Sequence, residues 1–236
     1  EYLHVGTTAG YYYVFDRNSG EVVNTIDCRE PVFAAPAVGA DRVYFATLGA
    51  QVYAIQPNGE IVWTWDFVKE VIGFDGDRWS GEQWYRFKQG RVDWRDHFCC
   101  SRNLAAYGKI VVIPSGGRTV FLEDTGPVAT VRAVAEIPEY VGREFPAAFG
   151  QSIGEDDNVY VQWHRRDNAG RVEVLRLNDD NSISAAFVAG TETAIDLHGL
   201  LSFTSVSIRD NYVYRMRPEE SVGLCRHRVD RDETTA

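Results

Sequence analysis

The chain has 236 residues, 44% of them hydrophobic and 25% charged, with a formal net charge of −10 at pH 7. This is a globular composition for one large domain or two small ones, and it excludes collagen, coiled coil and long disorder. The acidic balance argues against a phosphate-backbone binder, and no apolar run approaches the roughly 18 residues of a membrane helix, so neither nucleic acid nor a membrane span is expected. The cations are three Lys (Lys69, Lys88, Lys109) and twenty-one Arg, which are planar forks suited to fixed pairs with carboxylates. The sequence opens at Glu1 with no basic and apolar leader. A removed targeting segment, or a piece of a longer protein, is therefore expected.

Self-similarity appears at once in chain order. LHVGTTAGYYYVFDRNSGEVV from Leu3 aligns with VYFATLGAQVYAIQPNGEIVW from Val43 at an offset of 40 residues. Leu3 falls on Val43, Val5 on Phe45, Thr7 on Thr47, Tyr13 on Tyr53 and Phe15 on Ile55. Each copy reads strand, turn, strand, Gly turn, strand. The turns are Ala9-Gly10 and Gly49-Ala50, then Asn18-Ser19-Gly20 and Pro57-Asn58-Gly59. A second marker recurs: Phe33, Phe149 and Phe203 each precede a Val-Tyr pair by ten residues, and Phe98 precedes Ile110-Val111 by twelve. Each such Phe sits in a segment rich in Ala, Ser, Cys and Gly, which suits an inner strand crowded around an axis.

Repeated four-stranded units of this length predict an all-β β-propeller of antiparallel blades. Five units are expected: 1–28 without its inner strand, 31–66, 97–137, 145–190 and 200–236, the last ending after its third strand. A chain of four to five blades that begins and ends mid-blade is expected to be an incomplete propeller or a fragment. Residues 67–96 interrupt the rhythm. Ser80-Gly81-Glu82-Gln83 has the form of a capping box, which predicts a short helix near 81–89. This insertion concentrates Trp79, Trp84, Tyr85 and Trp94, residue types that dominate protein interfaces, so these four are the candidate partner-binding residues. The competing reading is a cap folded back on the blade.

The segment Ala54-Ile55-Gln56-Pro57-Asn58-Gly59-Glu60-Ile61-Val62-Trp63 resembles the tryptophan-docking repeat of the quinoprotein alcohol dehydrogenase-like (PQQ-like repeat) propellers, A-x-D-x-x-x-G-x-x-x-W. Gln56 stands in place of the Asp. In the first unit Asp16 and Gly20 keep the pattern, but Asn24 replaces the Trp. The resemblance implies that Trp63 packs between adjacent blades. It also implies an exported, periplasmic or secreted location. Members of this superfamily include dehydrogenases, outer-membrane assembly scaffolds and cofactor-free binding propellers, so the resemblance fixes the fold and not the activity.

The quinone-dependent alcohol dehydrogenases of that superfamily carry an adjacent Cys-Cys against the quinone, in a C-C-x-x-x-N-R-G context. Here Cys99-Cys100 is followed by Arg102-Asn103, in reversed order and without the Gly. By this resemblance Cys99, Cys100, Arg102 and Asn103 are the candidate cofactor-binding residues, with PQQ and Ca²⁺ as the alternative to no cofactor. The bland reading places two small residues on an inner strand, matching Ala34-Ala35 of the preceding unit.

Other constellations lack context. Gly150-Gln151-Ser152-Ile153-Gly154 matches a nucleophile elbow, but a turn and a strand follow where a helix is required. His97 with Cys99 and Cys100, and Cys225 with His227, give no spacing that unites three or four metal ligands, and there is no C-x-x-C. Asp75-Gly76-Asp77 begins like a calcium loop and is broken by Trp79 and Ser80. The expected function is therefore a non-catalytic propeller that binds or scaffolds a protein partner, or packs on further blades of a parent chain. A fragment of a PQQ-dependent dehydrogenase is the alternative.

Overall fold

The computed structural model describes residues 1–79, 100, 103–115, 118–136, 147–153, 158–164, 170–191, 207–209, 212–217, 223–228 and 234–235. The strands group into five antiparallel meanders. The first is β1 (Tyr2–Gly6), β2 (Tyr11–Asp16) and β3 (Val22–Asp27). The second is β4 (Ala37–Val38), β5 (Val43–Ala46), β6 (Gln51–Ile55) and β7 (Ile61–Asp66). The third is β8 (Ala105–Tyr107), β9 (Ile110–Ser115), β10 (Arg118–Asp124) and β11 (Ala129–Glu136). The fourth is β12 (Ala147–Ile153), β13 (Val159–His164), β14 (Gly170–Leu177) and β15 (Ile183–Thr191), and the fifth is β16 (Ser207–Arg209), β17 (Tyr212–Arg217), β18 (Gly223–Arg228) and β19 (Thr234–Thr235). Consecutive inner strands touch, β4 with β8, β8 with β12 and β12 with β16. The sheets are thus propeller blades converging on their first strands.

Alternation along each strand explains why both faces of a blade are apolar. On β5 all four residues are buried. Val43 and Phe45 join Tyr53 and Ile55 against Tyr12, Val14 and Ile26 of the first sheet. Tyr12 stacks on Phe45 at a centroid distance of 3.7 Å, and Phe45 on Tyr53 at 4.8 Å. The intervening Tyr44 and Ala46 face the other way. With Val52, Ala54 and Trp63 they meet Val111, Ile113, Val120 and Leu122 of the third sheet. Val112 and Phe121 in turn face Val159, Val161 and Leu175 of the fourth. Trp63 is only 5% exposed and lies between the second and third blades, where the repeat pattern places it.

Three expectations need correction. The fifth sheet has a fourth strand, β19, whose Thr234 and Thr235 pair with His227 and Arg226. The inner strand of the second blade is reduced to Ala37–Val38, because Pro31 and Pro36 bring no N–H to a ladder. Cys100 is not on an inner strand: that strand is Ala105–Tyr107, and the Cys100 N–H donates to the Leu48 carbonyl of the neighbouring blade at 3.0 Å. The expected helix near 81–89 lies outside the described residues.

Candidate functional site

The insertion is fastened where it leaves and re-enters the blades. Asp66, the last residue of β7, accepts the N–H groups of Val68 at 2.9 Å and Lys69 at 3.2 Å through Oδ1. This caps a single π-type turn, Val68–Ile72, closed by Gly73 in the left-handed conformation. Asp66 Oδ2 accepts from Arg78 Nη2, and Arg78 Nη1 donates to the Gly49 carbonyl. Arg78 Nε lies 3.9 Å from Glu30 Oε1. Glu30 is buried; its Oε2 accepts the Thr47 hydroxyl at 2.5 Å and its Oε1 the Trp79 indole N–H at 2.7 Å. On the far side, Cys100 returns to Leu48. Both stems therefore land on the one turn, Thr47–Ala50.

The Arg78 guanidinium lies between the buried Glu30 and the partly exposed Asp66 carboxylates, and removing it would leave a buried carboxylate without its cation, which costs heavily. Both Glu30 oxygens are committed as acceptors. The cluster thus works as a latch that holds Trp79, a residue 46% exposed.

The Thr47–Ala50 turn is shaped for this latch. In the first repeat the left-handed position belongs to Gly10 (φ 88°), and in the second to Ala50 (φ 63°). Gly49 is needed for a different reason: a Cβ there would lie 2.4–2.7 Å from the Glu30 carboxylate. We expect Gly49→Ala to destabilise by about 1–3 kcal/mol, the range for overpacking, because Thr47, Arg78 and Trp79 leave that carboxylate no room to retreat. Ala50→Gly at the left-handed position is expected to be neutral or stabilising by less than about 1 kcal/mol. Urea midpoints of the two variants check this pair.

A second polar node joins the next two blades. Asp124 is buried at the end of β10. It accepts Arg42 Nη1 at 2.9 and 3.0 Å, the Tyr44 hydroxyl at 2.8 Å and the Gly126 N–H at 2.8 Å. Arg42 also donates to the Gly126 carbonyl at 2.7 Å. Between β7 and β11 lies an open cleft of about 790 Å³, lined by Thr64, Trp65, Lys69, Glu70 and Val131 among others. Its Asp66 is already engaged by Arg78.

Three of the eight sequence-derived site residues, Trp79, Cys100 and Asn103, lie among the described residues. Cys100 is buried in the core shared by the second and third blades. Asn103 Oδ1 accepts the Ala35 N–H at 2.9 Å, a tie between inner segments of neighbouring blades. Trp79 is on the latch. Cys99, Arg102, Trp84, Tyr85 and Trp94 lie outside the described residues. Ser152 of the elbow-like motif sits within strand β12, opposite Tyr160. Among the described residues no cluster of three or more His, Cys, Asp or Glu is placed to hold a metal ion, and no helix is long and apolar enough to cross a membrane. Sequence reasoning missed Glu30, Thr47 and Asp66, and read Arg78 only as one of the arginines beside the aromatic residues of the insertion. The readable signal was the shift of glycine from the second to the first position of the turn, Ala9-Gly10 against Gly49-Ala50.

Burial raises several acids of the core. The Cys28 thiol is pushed up to about 12 by desolvation, with the negative Asp27 and Glu30 adding to it. The Tyr53 hydroxyl is pushed up to about 12 by the same cause, and those of Tyr12 and Tyr44 also rise. A raised folded-state value means stability that is full below the unfolded value and lost as pH climbs through the folded one. Cys28 and Tyr53 start from 9.0 and 10.0. Stability is therefore expected to fall progressively from about pH 9 to about pH 12, with tyrosinate absorbance appearing together with unfolding. Early, independent ionisation of the buried tyrosines would refute this.

Two solved structures share the architecture. BamB from Moraxella catarrhalis matches with a TM-score of 0.62 at 11% identity, covering 100% of this chain and 61% of that one. Dihydro-heme d1 dehydrogenase NirN, in complex with DHE, matches with a TM-score of 0.65 at 13% identity, covering 100% of this chain and 43% of that one. The chain thus spans less than two thirds of either, and at these identities the likeness is one of fold. No curated protein matches the chain. The family model described as outer membrane protein assembly factor BamB matches residues 1–222, and with its repeat, its five blades and its docked Trp63 the chain belongs to that family.

Proposed function

We propose that the chain is a non-catalytic scaffold propeller in an exported, oxidising compartment, and that it binds another protein component of outer-membrane protein assembly. The family description supports the class of partner. The observation that carries the reading is the latch: Glu30, Thr47, Asp66 and Arg78 fasten the stem of an aromatic insertion, and Trp79 stays partly exposed there. Rigid blades that carry an aromatic insertion suit recognition better than turnover. Two features weigh against a quinone site at Cys99-Cys100. The Cys100 thiol packs into apolar core, and the Asn103 carbonyl is spent on Ala35.

The test is association. A photo-crosslinker at Trp79 in the exporting host identifies the partner, and the purified pair is then titrated. Replacing Trp84 and Trp94 by Ala should weaken the complex by about 2 kcal/mol for each true hot spot while the far-UV spectrum stays that of the parent. If the double substitution instead unfolds the chain, the insertion is a cap of its own core. Dye-linked alcohol oxidation by the chain with added PQQ and Ca²⁺ would overturn the scaffold reading.

A further inference from the structure

A groove separates the outer strands of the second and third blades. β7 and β11 are the last strands of their sheets, and the cleft of about 790 Å³ opens between them. Trp65, nearly buried, forms its floor, and its ring meets Phe67 edge-on at a centroid distance of 6.3 Å. The wall on the β11 side is Val128 and Val131, 54% and 37% exposed, with the exposed Thr130 between them. A bulge keeps that wall uncharged. Leu122 pairs with Val131 and Phe121 with Ala133, so Arg132 is the extra residue. Bulges re-aim a side chain. Arg132 is committed to Glu123 at 2.9 Å and to Asn181 of the fourth blade.

The opposite wall carries charge, and most of it is spent. Asp66 accepts from Arg78, and Lys69 Nζ lies 3.9 Å from Asp75 Oδ2. Glu70 is exposed on the Val68–Ile72 turn and has no ion pair among the described residues. One uncompensated carboxylate thus stands beside an apolar wall, on a chain of net charge −10. That field favours a basic occupant. Shape decides the size class. A small-molecule pocket encloses most of its ligand, whereas this cleft is open to solvent. An apolar centre with a polar rim is the anatomy of a protein contact. A cleft between two strands admits a narrow segment and not a folded surface.

We propose that this cleft binds an extended peptide segment of a partner protein, with a branched apolar side chain against Trp65, Val128 and Val131 and a Lys or Arg beside Glu70. The site rests on the reading of the chain as a protein-binding scaffold, but it does not use the aromatic residues of the insertion. A partner complex weakened by replacing Trp84 and Trp94, and unchanged by the variants below, keeps the scaffold reading and overturns this site.

The probe is a phage-displayed library of random decapeptides, selected on the chain and counter-selected on the double variant Val128→Ser with Val131→Ser, which leaves the charge unchanged. Enriched sequences should place a Val, Ile or Leu close to a Lys or Arg. The corresponding synthetic peptide, titrated by fluorescence anisotropy, should bind about tenfold more weakly to the double variant, which loses the apolar wall. It should also bind about tenfold more weakly to Glu70→Lys, where like charges meet. The same peptide with Glu in place of its cation should gain about tenfold on Glu70→Lys over the parent chain, a reversal that misfolding does not produce. No enrichment on the parent over the double variant overturns the proposal, as do peptides that bind parent and variants equally. Self-association of the chain that the double variant abolishes also overturns it, because a second copy would then be the occupant.

Discussion

Trp63→Ala is expected to lower the unfolding free energy by about 3–5 kcal/mol, the range for deleting a buried Trp. The indole is nearly inaccessible, lies beside Tyr44 at a centroid distance of 5.9 Å, and belongs to the core that the second and third blades share. In a repeat architecture the stability of one unit rests on its interface with the next, so the loss uncouples two blades rather than loosening one. Trp63→Phe should cost less than about 1.5 kcal/mol. It keeps a ring in the slot and removes an indole N–H that is buried with no partner. Asn24 is the register equivalent, opposite Val14 as Trp63 is opposite Ala54. It fills its place with a short polar side chain against the Gly59 turn, and Asn24→Ala should stay near 0.5 kcal/mol. Denaturant midpoints at unchanged slope measure all three. A Trp63→Ala loss no larger than that of Asn24→Ala would refute the docking role.

The part of this fold that was legible in the sequence is the part that repeats. The 40-residue offset placed Leu3 with Val43 and Tyr13 with Tyr53, and the structure puts each pair on the same face of its blade. Period-two alternation and Gly turns are local signals, and blade-to-blade packing follows from them. What the offset could not show is whatever breaks the period. Pro31 and Pro36 trimmed an inner strand to two residues, and the Asn103 bond to Ala35 drew the chain before β8 toward the second blade. The latch is less legible still. Glu30 and Trp79 are 49 residues apart and meet beside the Thr47–Ala50 turn between β5 and β6. No spacing rule joins a Glu before a proline to an Arg-Trp pair in an insertion. Gly49, displaced by one place from its counterpart, was the single residue whose identity already required a close neighbour.

Asp124→Ala is expected to cost about 3 kcal/mol, close to the lower end for breaking a buried ion pair by removing one partner. One carboxylate at the end of β10 serves three donors from two blades: the Arg42 guanidinium, the Tyr44 hydroxyl and the Gly126 N–H. Its own side chain is 7% exposed, and that of Arg42 is 21% exposed. Deleting the carboxylate leaves a half-buried cation with only the Gly126 carbonyl and a buried hydroxyl with no acceptor. An orphaned donor costs its full desolvation, whereas removing both members of a pair costs far less. Arg42→Met combined with Asp124→Ala should therefore cost less than the sum of the single changes, by about 1 kcal/mol or more. Asp124→Asn keeps an acceptor for Tyr44 and should fall between wild type and Ala, at about 1–2 kcal/mol. Additive losses in the double-mutant cycle would mean that the node adds nothing beyond its separate contacts, and the blade junction would then rest on Trp63 and its apolar neighbours alone.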